Sequence, residues 1–291
     1  MRAVRVLRHH AAMHYSHTVQ QALGFLLGLT DEDTALRIRE RIALPAPEPD
    51  GPEAVQRRLN RVWSWRNVPS SVVLWILEQD DPELNAVVWR HLATDAGLRR
   101  AIARGIPFGP DRTQPVRVHR VPGEEPEVPG SYVRHGLVGA LREAGTMAAA
   151  RSAASMVLSR DDWRTVTEAD AERPLPGFTR WALSVRPDCP PALRAQFGSH
   201  AKFTHRVRTA GVLDGPAGYA TEHGPAVGVL EILAMGHLMF PARIGAAEDA
   251  LRPLVRDHLG DREEAWAVLA QLASTFHGTV PELVATAGAI A

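Results

Sequence analysis

Residues 70–105 read SSVVLWILEQDDPELNAVVWRHLATDAGLRRAIARG, and this stretch decides the fold class. Pro69 and Ser70 start the chain into a mostly apolar run over Val72–Gln79. Asp80-Asp81-Pro82 then predicts a turn that opens a second helix. Pro82 falls near its first position, where the missing N–H is not needed and the fixed φ already suits a helix. Helical hairpins are expected to continue to about Gly105.

The same texture returns about 106 residues later along the chain. The segment from Trp181 through Gly215 aligns without a gap with the one from Trp75 through Gly109. Trp75 matches Trp181, Leu77 matches Leu183, Ala86 matches Ala192 and Val87 matches Leu193. Arg100 matches Arg206, Gly105 matches Gly211 and Ile106 matches Val212. Each copy reads as a helix, a proline-set turn, a second helix, a short turn and a basic third helix. Such a unit cannot bury its apolar face alone and needs neighbours stacked on it.

Working outward, other helix starts are legible. Thr30-Asp31-Glu32-Asp33 offers an N-cap oxygen, here assigned to Thr30, with acids in the first turn. The amphipathic helix after it carries Ala35, Leu36, Ile38 and Ile42 and is expected to run to Leu44. Pro45–Pro52 is a proline-rich loop, followed by an expected helix over Glu53–Trp65. Ser159-Arg160-Asp161-Asp162 is a further capping signal. Asp261 is expected to cap Arg262–Phe276 with Glu264 at the capping-box position, and Thr279-Val280-Pro281-Glu282 caps the last helix after Gly278. Residues 107–130 differ, being rich in Pro and Gly, with Val116, Val118 and Val121 suggesting at most a short strand. They read as a linker or long surface loop. The expected organisation is therefore all-α, with stacked helical hairpins in two halves: 1–106, the 107–130 linker, and 131–291.

The segments DDPELNAVVWRHLATDAGLRRAIARG (80–105) and RPDCPPALRAQFGSHAKFTHRVRTAG (186–211) resemble helical-repeat proteins of the HEAT-like and leucine-rich-repeat-variant kind. The second departs from that pattern, with polar Lys202 and Thr204 where apolar residues would help packing. The resemblance implies a stacked α-solenoid with a binding surface, and it implies no catalytic residues.

Composition bounds the function classes. Basic and acidic residues balance at 33 each, which argues against a surface that is basic throughout, although not against a local patch. Nearly all the basic charge is arginine. A single cysteine, Cys189, allows no internal disulfide and fits a reducing compartment, so a cytoplasmic protein is expected. No apolar run approaches the length of a membrane-spanning helix, and no membrane partner is expected. Met1–Gly28 is basic, but its apolar part is broken by Gln20, Gln21 and Gly24 and no small-residue cleavage pattern follows, so no leader is expected.

The leading candidate site is basic. Arg99 and Arg100 correspond in place to His205 and Arg206, with Arg104 and Arg208 further along the same two basic helices. Arg112, Arg117, His119 and Arg120 extend the first group. Stacked helices would align these along one groove over 94–106, 199–211 and 107–120, where arginines meet carboxylates or phosphates. The plainer reading puts them on solvated faces, paired with acids such as Asp95. The expected function is a non-catalytic helical-repeat binding or scaffold protein that recognises a protein partner or an anionic ligand. The alternatives are a nucleic-acid-binding helical-repeat protein with DNA-processing activity, and an enzyme of unrecognised type.

Other residues carry weaker signals. His10, His14 and His17, with His9 nearby, share one face of a helix at i, i+4 and i+7, a spacing that can ligate zinc, nickel or copper. No glutamate sits between them as in HExxH, and a polar helix face is the preferred reading, so no metal and no cofactor is expected. The seven tryptophans are read as core rather than base-stacking platforms. Cys189 lies in a turn and lacks an identifiable triad, although His200 and His205 are near in sequence. Asp80-Asp81 and Asp161-Asp162 fall where helix caps are expected. Glu231 and His237 match no motif.

Overall fold

A computed structural model describes residues 16–46, 68–91, 94–118, 124–198 and 201–291, with the backbone alone for 201–203. Among these residues there are seventeen helices and no strand, so the chain is all-α. The helix expected over Glu53–Trp65, with Trp63 and Trp65, lies outside the described residues, as do His9, His10, His14, His119, Arg120 and Val121.

The chain forms two compact units. Their division does not fall at residues 107–130. One unit is residues 50–215 with 238–242, and the other is 1–49 with 216–237 and 243–291. These units do not coincide with the regions 1–106, 107–130 and 131–291 expected from the sequence. The physical reason is that N-terminal helices bury their apolar faces against C-terminal ones, which no local composition shift records.

In the terminal unit, α1 (His17–Leu27) packs along α13 (Ala226–Ala234). The faces concerned are apolar: Val19, Leu23, Leu26 and Leu27 are buried on α1, and Val229, Leu230 and Leu233 on α13. Thr18 Oγ1 donates to Glu231 Oε1 across this pair at 3.1 Å. α2 (Glu32–Arg41) packs on α16 (Glu263–Leu272), and Arg37 and Arg41 both reach Glu263, at 3.4 and 3.6 Å. The last helix, α17 (Val280–Ile290), lies against α16, α13 and α12 (Pro216–Glu222). Its start is the expected capping box of Thr279 and Glu282. Two other starts differ from expectation. Asp31, not Thr30, caps α2, because Thr30 turns its hydroxyl back to the Leu27 carbonyl. At α16 the N-cap is Arg262, with no side-chain cap bond, and the helix ends at Leu272.

The larger unit opens with α3 (Ser70–Leu77), α4 (Pro82–Arg90) and α5 (Ala96–Ala103), each packed on the next. Asp81 caps α4 by accepting from Glu83 and Leu84 N–H, with Pro82 in its first turn as expected. Asp95 caps α5 by accepting from Leu98 N–H at 2.9 Å. Next come α6 (Gly130–Arg142), α7 (Met147–Ala154), α8 (Arg160–Glu172), α9 (Gly177–Ser184), α10 (Pro191–Gln196) and α11 (Ala201–Thr209). α6 kinks at Gly136 (φ 65°, ψ −173°), which lets His135 meet Glu143 at 3.0 Å. The buried side chains of α7 are all alanines, and α9 packs closely along it. One apolar cluster joins Leu141, Val157, Trp163, Val166, Leu183, Leu193 and Phe197. Trp75 packs edge-on against Phe240, 5.8 Å between ring centres.

The two matched segments end alike. Gly105 (φ +64°) and Gly211 (φ +74°) both stop a helix in the left-handed region. Beyond each, Ile106 N–H donates to Ala101 O and Val212 N–H to Val207 O, the closing bond of a Schellman turn. A side chain at either glycine would also strike backbone: a Cβ at Gly105 would lie 2.4 Å from Val116 O, and one at Gly211 2.8 Å from Ser70 N. The second turn is thereby seated on the start of α3, where Ser71 N–H donates to Gly211 O and Ser70 Oγ to Ala210 O.

Candidate functional site

Two arginines of the larger unit are buried and structural. Arg100 is 1 % exposed. Its Nη1 donates to Ser155 O and Oγ, at 2.7 and 3.0 Å, and its Nη2 to Pro126 O and Glu127 O, at 3.1 and 2.9 Å. Nε faces Glu125 at 3.5 Å. Burial pulls its pKa below the ordinary arginine value, and Glu125 opposes that pull. The residue expected at the centre of a basic groove therefore pins the 124–127 backbone and the end of α7. Arg186 is the second. It grips Asp188 with both ends of its fork, at 2.9 and 2.6 Å, donates to Ala154 O, and lies over the Trp163 ring at 5.3 Å. Burial opposes its charge, but the carboxylates of Asp188 and Asp95 outweigh it and hold the pKa above the arginine norm. A Cβ at Gly97 would lie 2.6 Å from its Nη1, so that glycine admits the guanidinium.

Residues 107–118 form a strap on this unit, not a free linker. Asp80, 5 % exposed and in a left-handed conformation (φ 50°), accepts from Phe108 N–H at 2.8 Å and Gly109 N–H at 3.1 Å. It was expected to cap a helix; Asp81 alone does so. Val116 N–H donates to Gly105 O at 2.8 Å, and the Val116 side chain is buried. Arg160, at the start of α8, donates to Gly109 O. That start is the expected capping box: Ser159 accepts from Asp162 N–H, and Asp162 accepts from Ser159 N–H.

Between strap and α8 lie two adjoining clefts, sharing Pro107, Ser159 and Arg160. One, about 390 Å³, is walled by Leu74, Phe108, Leu158, Trp163 and Pro190, with Arg164, Glu78 and Asp188 at its polar margin. Trp163 is fixed there, its Nε1 donating to Asp188 Oδ2 at 3.2 Å. The other, about 440 Å³, is lined by Arg104, Arg112, Arg160, Thr113 and Asp161. Arg104 is paired with Glu125 at 2.7 Å, and Asp161 with Arg164 at 3.2 Å. Arg112 and Arg160 are held differently. Arg112 donates to Gln114 O and Pro115 O, and Arg160 to Gly109 O. Carbonyls orient a guanidinium without cancelling its charge. Neither arginine has an ion-pair partner among the described residues.

Among the described residues, the expected basic side chains do not line one groove: Arg100 and Arg104 meet at Glu125, and the others lie elsewhere. Arg99 is half-buried and donates to His91 O. Arg117 is exposed on the strap. His205, Arg206 and Arg208 are exposed on α11, where Arg206 lies over the Trp181 ring at 5.8 Å, with Arg151 also over that ring at 5.0 Å. Trp181 is thus half-buried with two cations against its ring, while Trp75, Trp89, Trp163 and Trp266 are core. Cys189 is 2 % exposed, and burial pushes its thiol from the ordinary 9.0 up to about 12, so it is protonated and inert at neutral pH. Glu231 accepts from Thr18, and His237 pairs with Glu248 at 2.7 Å. His17 is exposed at the start of α1. No group of three or more metal-ligating side chains occurs among the described residues. Among them, no helix is long and apolar enough to cross a membrane.

Arg160 and Trp163 are the cleft residues that sequence reasoning missed. Arg160 stood in a capping signal and Trp163 among core candidates, and nothing local marks the strap that completes the cleft. No protein-family model, curated protein or solved structure matches the chain.

Proposed function

We propose that this chain is a binding protein that holds an anionic segment of a protein partner in the paired clefts of the larger unit. The observation that carries this reading is the pair of arginines, Arg112 and Arg160, fixed by carbonyls beside an apolar wall. Orienting a charge in advance lowers the ordering cost of binding, and a guanidinium fork suits carboxylate oxygens. The contact surface keeps Arg104 and the 107–118 segment from the sequence expectation, and replaces 199–211 with the start of α8. The matching ends of the two helical segments, Gly105 and Gly211, support a repeated hairpin unit as the scaffold. A cytoplasmic setting rests on composition, one cysteine in 291 residues.

The test is a displayed-peptide selection on the full-length protein at low salt. Recovered peptides are expected to be acidic with an adjacent apolar residue. Their affinity should fall at least about tenfold in an Arg112→Glu, Arg160→Glu variant that still melts cooperatively. Recovery of peptides without acidic bias, or unchanged affinity for the charge-reversed variant, would overturn the reading.

A further inference from the structure

Resting on the binding reading above, we propose that the group seated between Arg112 and Arg160 is a phosphate monoester on a peptide chain. An apolar residue of that peptide would lie in the Leu74–Phe108–Trp163 cleft.

The first argument is charge. Three guanidiniums line one cleft; Arg104 is paired with Glu125, and neither Arg112 nor Arg160 has an ion-pair partner among the described residues. A carboxylate brings one negative charge and leaves one arginine uncompensated. A phosphoserine or phosphothreonine brings about −1.5 to −2 at neutral pH with three acceptor oxygens. The second argument is donor geometry. Arg112 uses Nε and Nη2 on Gln114 O and Pro115 O, and Arg160 uses Nη2 on Gly109 O. Both Nη1 groups keep their hydrogens unengaged among the described residues, enough to serve several oxygens at once. The third argument is the adjoining volume. The about 390 Å³ apolar cleft begins at Pro107 and Arg160, where the cationic one ends. It is the size of a site for a few peptide atoms and a side chain.

The same features disfavour a nucleic acid. Stacking a base needs an open aromatic face. Trp163 is only 6 % exposed, and Arg186 already lies over its ring. Asp161 is the one acid lining the cationic cleft, and its carboxylate is engaged by Arg164. Removing it should strengthen phosphate binding.

The test uses the full-length protein and three fluorescein-labelled degenerate peptide pools, with a fixed central phosphoserine, glutamate or serine, read by anisotropy. Labelled single-stranded DNA and RNA run alongside. The phosphoserine pool is expected to bind at least about tenfold more tightly than the glutamate pool. Arg112→Gln and Arg160→Gln should each remove most of that preference, and Asp161→Asn should increase it. Arg112→Gln touches only carbonyls of its own loop, so it tests the site even if Arg160→Gln loosens the strap. Equal binding of the phosphoserine and glutamate pools, both lost in the variants, would overturn the phosphate assignment and leave the anionic-segment reading standing. Nucleic acid binding more tightly than either pool, or no binding to any probe, would overturn both.

Discussion

Arg100 and Arg206 occupy matched places in the sequence and have opposite fates. Arg100 is enclosed, with carbonyls from Ser155, Pro126 and Glu127 around its fork. Truncating it leaves those acceptors and Glu125 without their donor, and breaking a buried charged network costs roughly 3–5 kcal/mol. Arg100→Ala is therefore expected to lower the melting temperature by roughly 10 °C, or to prevent folding, as followed by circular dichroism. Arg206 lies on an exposed helix over Trp181, and Arg206→Ala should change the stability by no more than about 0.5 kcal/mol. Equal effects of the two substitutions would contradict these placements. Cys189 supplies a second residue-scale expectation. With its thiol raised to about 12 by burial, iodoacetamide should leave it unmodified at pH 8 until urea unfolds the chain. The linkage sign follows: a raised folded pKa gives stability that is complete below the unfolded value near 9.0 and is lost as pH climbs towards 12. Cys189→Ala should flatten the alkaline part of the melting-temperature profile. Both the lone thiol and the arginine pairs were visible in the sequence. The burial of Arg100 and Arg186 was not, because their carbonyl partners at Ser155, Pro126 and Ala154 lie tens of residues away.

At the scale of the element, the helix ends were the most legible feature. Asp81 with Pro82, the Ser159–Asp162 box and the Thr279–Glu282 box all close within four residues, so composition alone specifies them. The 107–118 segment was legible as an irregular loop, and its docking was not, for the converse reason. Proline and glycine mark an absence of regular structure, but not whether the segment is docked. Asp80 docks it, and the two backbone N–H groups it accepts are otherwise unsatisfied. Asp80→Ala should cost about 1–3 kcal/mol, and it should speed amide exchange at Phe108 and Gly109 before the rest of the unit. Asp80→Asn, which keeps one acceptor oxygen, should fall between. Unchanged exchange at those two amides would refute the docking role. Gly211 carries the other element-scale expectation. A Cβ there meets the left-handed penalty of about 1–2 kcal/mol and the Pro69–Ser70 backbone as well, so Gly211→Ala should destabilise by more than that conformational cost. A melting temperature within a degree of the parent would contradict it.

At the scale of the whole molecule, the chain's two ends belong to one unit and its middle to another. α1 buries its apolar face on α13, more than two hundred residues further on. Leu23→Ala and Leu230→Ala are each expected to cost about 2–5 kcal/mol, and each should raise amide exchange in both helices together. Exchange rising only in the mutated helix would contradict a shared core. Sequence by itself determined that the chain is helical and where the helices opened by Pro82, by the Ser159–Asp162 box and by the Thr279–Glu282 box start, because periodicity and capping act over a few residues. Only the tertiary structure decided which arginines are buried, which termini share a core, and that a strap meets the start of α8 to form a cleft. Each of those outcomes depends on contacts between residues distant in the chain, whose partners a local pattern cannot name.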